Sequence, residues 1–186
     1  MNPARYKKDF DKITEELRSF AYSYLEKYSP SKQQLKTYLF NKILTRYKSY
    51  LNKKMIFNMI EEIINSLEQK SLVSDKYYSE SRSKTFLKRG YSLNKIRYAL
   101  IKKGIKEKYI NSSILKIKEN NPDSDFFSAI KLCKRKRIGA VREESNRALF
   151  YKKDMSILAR SGFSFEISKA VLNLSKNEFL KLSKLV

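Results

Sequence analysis

The chain contains no histidine. The commonest general base and the commonest metal ligand are therefore missing together, and neither a Ser–His–Asp nor a Cys–His catalytic arrangement can be assembled. A single cysteine, Cys133, can form neither an intrachain disulfide nor a thiolate metal site on its own, and fits a reducing compartment. With 4 glycines and 3 prolines, there is little punctuation for hairpins, which argues for helix over strand. No glycine pair has the spacing of a phosphate-cradling loop. No stretch approaches the ~20 apolar residues needed to span a membrane, and the opening MNPARYKKDFDK has no apolar core of signal-peptide length. The expectation is a soluble, cytoplasmic, monomeric protein without cofactor or metal and without enzymatic chemistry. Acidic residues are also scarce: 19 Asp and Glu stand against 41 Lys and Arg, for a net charge of +22 over 186 residues. Such a charge exceeds what solubility requires and adds self-repulsion to the folded state. Compositional drift with solvated helix faces is the bland account. A polyanionic partner, either nucleic acid or an acidic protein surface, is the favoured one.

What is present is helical periodicity. Leu17, Phe20, Ala21, Tyr24, Leu25 and Tyr28 recur at the spacing of one helix face, predicting a helix over 14–28. Ser31 with Gln34 forms a capping box opening a helix that carries Leu35, Leu39 and Ile43. Ile56, Met59, Ile60, Ile63 and Leu67 mark a third helix. Ser74 or Asp75 caps a fourth, which stops at Gly90. Ser92 opens a fifth, closed by Gly104, and Tyr109 to Ile117 form a sixth. After Asn120-Asn121-Pro122, with Asp123 or Ser124 as cap, come a helix around Phe126–Cys133, one over 142–160 that stops at Gly162, one after Ser164, and a last one opened by the Ser175–Glu178 capping box. Gly90-Tyr91-Ser92 and Gly162-Phe163-Ser164 share one form: a glycine free to end a helix in the left-handed conformation, a ring at the corner, and a serine to cap the next helix. Ser31 opens a weaker third copy. Spaced copies of one phrase predict an all-α, elongated array of three tandem three-helix repeats, over 14–71, 72–121 and 122–186, preceded by a tail at 1–13.

Two acidic pairs, Asp9 with Asp11 and Asp123 with Asp125, could in principle hold magnesium for a nuclease. Both precede predicted helices, where capping is the simpler role. The basic residues are the positive signal. Lys84, Lys88 and Arg89 precede the Gly90 turn; Arg97, Lys102 and Lys103 follow it. Lys134-Arg135-Lys136-Arg137 is an unbroken run, and Lys152, Lys153 and Arg160 lead to the Gly162 turn. Each can be explained as a cation near a helix C-terminus; as a set they form a candidate track for phosphates. Tyr91 and Tyr98 could add base stacking, although a buried corner ring is the preferred role for Tyr91.

These residues resemble the RecX family, regulators of the bacterial recombinase RecA. The resemblance is carried by Leu72-Val73-Ser74-Asp75-Lys76-Tyr77-Tyr78 followed by Arg82, by Lys88-Arg89-Gly90-Tyr91-Ser92 with Ile96, Arg97, Leu100 and Gly104-Ile105, and by Arg160-Ser161-Gly162-Phe163-Ser164-Phe165-Glu166-Ile167 closing on Val171-Leu172. Ser31, Gln34 and Leu35 are similar to the family's first-repeat serine, acid and leucine, with glutamine in place of the acid. Order and spacing cover most of residues 25–173. The resemblance implies three-helix repeats that bind the RecA–DNA filament and restrain filament growth, ATPase, strand exchange and coprotease activity, with single- and double-stranded DNA as further partners. It also implies a role in recombinational repair and the SOS response. A general architectural nucleic-acid-binding protein, indifferent to RecA, is the alternative.

Overall fold

A computed structural model describes residues 3–47 and 52–185. Among these there are ten α-helices, one short 3-10 turn and no strand. In chain order the helices are α1 (Pro3–Leu25), α2 (Lys32–Arg46), α3 (Lys53–Gln69), α4 (Asp75–Lys88), α5 (Leu93–Ile101), α6 (Glu107–Asn120), α7 (Ser124–Lys136), α8 (Glu144–Arg160), α9 (Phe165–Leu172) and α10 (Lys176–Leu182); the 3-10 turn is Gly139–Val141. None is long and apolar enough to cross a membrane. The expected tail over 1–13 is instead helical from Pro3: proline suits a first helical position, where its missing N–H has no intrahelical partner to lose.

The chain divides into two compact units: Met1–Tyr78 with Lys103–Ile105, and Ser79–Lys102 with Lys106–Val186. The first has a core built from one stripe of each of α1, α2 and α3. Leu17, Leu35, Leu39, Ile43, Ile56 and Ile60 are essentially inaccessible, each such side chain contributing roughly 1.5–3 kcal/mol by leaving water. Tyr24 stacks on Tyr38 with ring centroids 4.1 Å apart. The second unit centres on Ile130, Cys133, Leu158, Phe163, Val171 and Phe179. Within it, α4 and α6 meet through small polar residues: the Ser79 hydroxyl lies 2.8 Å from that of Ser113 and donates to the Tyr109 carbonyl.

Each unit contains the same joint. The N-cap Ser31 of α2 accepts from the Gln34 N–H and donates its hydroxyl proton to the Lys103 carbonyl at 2.7 Å, while the next N–H, of Lys32, donates to Asp75 Oδ1 at 2.9 Å. In the second unit, the N-cap Ser92 of α5 accepts from Lys95 N–H and donates to the Ser161 carbonyl at 2.7 Å, and the Leu93 N–H donates to Asp125 Oδ1 at 2.7 Å. Each accepting carbonyl belongs to the residue before a glycine, Gly104 or Gly162, with φ of 74° and 84°. Contact thus pairs Gly162 with Gly104, whereas sequence pairs it with Gly90. Gly90, with φ 74°, lies instead against α7, where an added Cβ would fall 2.9 Å from Lys131 Cβ. Asp125 also departs from its expected local role: it caps α5 rather than its own helix, and Asp123, at the N-cap of α7, makes no side-chain capping bond. Ser124 is buried with its hydroxyl unpartnered.

Replacing Gly162 by alanine is expected to destabilise the protein by more than about 1 kcal/mol, because its φ is unfavourable for a residue with a Cβ and the new methyl would sit 2.7 Å from Ser92 Oγ. In urea the midpoint should fall with the slope unchanged. An unaltered midpoint would show that the joint tolerates the methyl group.

Candidate nucleic-acid interface

In the second unit, the end of α4, the first turn of α5 and the C-terminal turns of α7 and α8 converge on one open cleft of about 610 Å³. Its cations are Arg89, Lys95, Arg135, Lys136 and Arg160, over a floor that includes Leu132 and Ile157. The left-handed Gly90 turns the chain so that Arg89 remains at the rim while Tyr91 packs inward. There the Tyr91 ring is stacked on Phe86, with centroids 5.2 Å apart and planes 6° apart, and the Lys95 ammonium sits 4.4 Å from its centroid. Arg135 Nη1 donates to the Arg89 carbonyl at 2.8 Å, tying α7 to the end of α4. None of the five cations has a carboxylate partner among the described residues.

Four of the thirteen basic residues singled out from sequence therefore share this cleft: Arg89, Arg135, Lys136 and Arg160. The others are not brought there. Lys84 and Lys88 are exposed along α4, Lys102 and Lys103 at the turn after α5, and Lys152 and Lys153 on α8. Arg97 is ion-paired with Glu107 and donates to Asn111 Oδ1 at 2.7 Å, so it is not a free cation. The run at 134–137 splits by function. Lys134 donates to the Ser183 carbonyl at the end of α10, at 3.2 Å. Arg135 and Lys136 face the cleft. Arg137 ends α7 in the left-handed conformation, with φ 54°, a position glycine usually takes. Tyr98 remains exposed, at 67%.

Two features of this unit escaped the sequence. Lys95 belongs to the cleft; its signal is its position one helical turn after Tyr91, across the N-cap serine. The other is a buried ion pair. Arg142 grips Asp154 through Nε and Nη2, both at 2.7 Å, and the Gly139 N–H donates to Asp154 Oδ2 at 2.9 Å. Asp154 is 1% exposed, and the signal was its place on the stripe Tyr151, Asp154, Leu158. Burial alone would raise its pKa, but the Arg142 and Gly139 hydrogen bonds and the charges of Arg142 and Lys153 outweigh that and hold it below the usual carboxylate value. The same burial, with the Asp154 charge nearby, pushes the Cys133 thiol up to about 12, so it stays protonated and unreactive. Among the described residues no three His, Cys, Asp or Glu side chains are grouped to hold a metal ion; the Asp9 side chain lies outside what is described.

No family model matches the chain. It is 26% identical over 163 residues to the regulatory protein RecX of Myxococcus xanthus, covering 84% of each chain. It is 30% identical over 125 residues to the regulatory protein RecX of Clostridium perfringens strain SM101, across 66% of this chain and 56% of that relative, little more than half its length. A crystal structure of regulatory protein RecX shares the fold, with a TM-score of 0.67 at 19% identity over 94% of this chain and 79% of that one. Along most of its sequence the chain is similar to proteins named regulatory protein RecX, and along nearly all of its length it shares the fold of one of them.

Proposed function

We propose that this protein regulates a RecA recombinase by binding the RecA–DNA filament and slowing its growth, and with it ATP turnover, strand exchange and coprotease activity. The observation that supports this reading most directly is the cleft: five cations gathered at the ends of α4, α7 and α8 and the start of α5, with no carboxylate partner among the described residues, as a surface that attaches to a polyanion requires. Regulation by occupancy asks for no catalytic group. It acts where RecA acts, in the cytoplasm, as a monomer, with the helices over 14–71, 72–121 and 122–186 serving as three repeats.

The test is RecA ATPase on single-stranded DNA, titrated with the full-length protein. A dose-dependent fall in rate, beginning well below one regulator per RecA subunit, is the expected result. An unchanged rate at saturating protein, together with tight binding to bare DNA, would favour the architectural alternative.

A further inference from the structure

Four cations of the second unit are neutralised within it: Arg97 by Glu107, Lys116 by Glu80, Arg142 by Asp154 and Arg147 by Glu144. The cleft differs in gathering several unneutralised cations at one place. Arg89, Lys95, Arg135, Lys136 and Arg160 are gathered within about 610 Å³ with no acid among them, and that repulsion is relieved only by an anion from outside. The charges are also positioned. Arg135 is bonded to the backbone at Arg89, and Lys95 is fixed over Tyr91. An anion meeting them loses little to side-chain ordering.

The aromatic ring in the cleft is already taken up. Tyr91 is stacked on Phe86 and covered by the Lys95 ammonium, so it offers no open face to a base. The half-buried Ile157 gives the floor an apolar surface suited to sugar carbons, over a Leu132 that is 3% exposed. A single carboxylate could satisfy one guanidinium, whereas five cations call for a ligand charged at every unit of its length and narrow enough to lie along the cleft. We propose that this cleft holds the sugar–phosphate backbone of one nucleic-acid strand, with successive phosphates at Arg89, Arg135 and Arg160, and that it does so without reading or stacking bases. The proposal rests on the nucleic-acid side of the function proposed above and adds to it the place and the moiety bound.

The experiment needs no RecA. Anisotropy is measured with the full-length protein and a labelled oligo(dT), with an abasic strand of equal length, and with polyglutamate of equal charge as competitor. The abasic strand is expected to bind within about 2-fold of oligo(dT), since a stacking site would lose roughly 5-fold or more per base. The Arg89→Ala, Arg135→Ala, Arg160→Ala triple variant should lower the log–log salt slope by about 2, three contacts at about 0.7 each on a single strand. Lys184→Ala, an exposed cation outside the cleft, should leave it unchanged. Circular dichroism confirms folding; if the triple variant does not fold, the single variants carry the test, each lowering the slope by about 0.7. A tenfold loss with the abasic strand, an unchanged slope, or competition by polyglutamate equal to that by the strand would each overturn the proposal. Strand binding that follows the expected pattern, with no effect of the protein on RecA ATPase, would support the cleft and sink the reading of the protein as a RecA regulator.

Discussion

Reversing Arg135 and Arg160 to glutamate, with Arg89, should abolish inhibition of RecA ATPase at physiological salt while the protein stays helical. If each residue neutralises one phosphate, the counterion term alone is worth about 50-fold in affinity at 0.15 M salt for three lost contacts, and reversal adds repulsion to that loss. Stability should fall by no more than about 0.5–1.5 kcal/mol, the worth of the hydrogen bond from Arg135 to the Arg89 carbonyl, because the three side chains are otherwise exposed. Lys134→Glu is the informative contrast within the same basic run: its ammonium serves the Ser183 carbonyl at the end of α10, so its main effect should be on stability. Both variants would be compared by filament co-sedimentation and ATPase across a salt series. Full inhibition by the cleft variant at moderate salt would remove this cleft from the filament interface.

Asp154→Ala is expected to cost stability on the order of 2–3 kcal/mol, since it removes the charge-assisted hydrogen bonds from the partly exposed Arg142 guanidinium and leaves the buried Gly139 N–H without an acceptor. The double replacement Arg142→Met with Asp154→Leu should recover part of that loss, because the apolar side chains refill the space and remove the unpaired charge, while the Gly139 N–H stays without an acceptor. The pH dependence follows from direction. The folded pKa of Asp154 is lowered, so its contribution is complete above the unfolded value near 4 and is lost as pH falls from about 5 through the folded pKa. Wild type should therefore weaken on acidification more steeply than the double variant. Parallel curves for the two would mean that the pair contributes no pH-dependent stability.

The helices were legible because their signals are local. Leu35, Leu39 and Ile43 stripe one face of α2, and Ser31 with Gln34 announces its start; these effects act within a turn or two of chain. What could not be read was where side chains go next. Nothing in the spacing of Ser31 and Lys103, or of Lys32 and Asp75, says that they meet, because the separations of 72 and 43 residues are set by packing. The likeness of Gly90 and Gly162 gave the local turn correctly, since both end helices in the left-handed conformation before an N-cap serine, but it was silent on what each glycine abuts, α7 for one and the Ser92 hydroxyl for the other. The basic run was visible as charge and invisible as geometry. Four successive residues on a helix end point in different directions, and only Arg135 and Lys136 reach the cleft. Helicity hid the α1 start, where Pro3 looked like tail and serves as a first helical residue.

The joints also set a timetable for synthesis. The Ser31 hydroxyl finds its carbonyl 72 residues further along, and that of Ser92 waits 69 residues for its own. At about 5–20 residues per second on the ribosome, each serine spends roughly 3–14 s facing solvent before its acceptor has been made. The first unit cannot close until residue 105 has been polymerised, although its three main helices are complete by residue 69. During that interval the apolar stripes of α1, α2 and α3 have only one another for cover, and a chaperone that recognises exposed apolar chain would have its longest opportunity there.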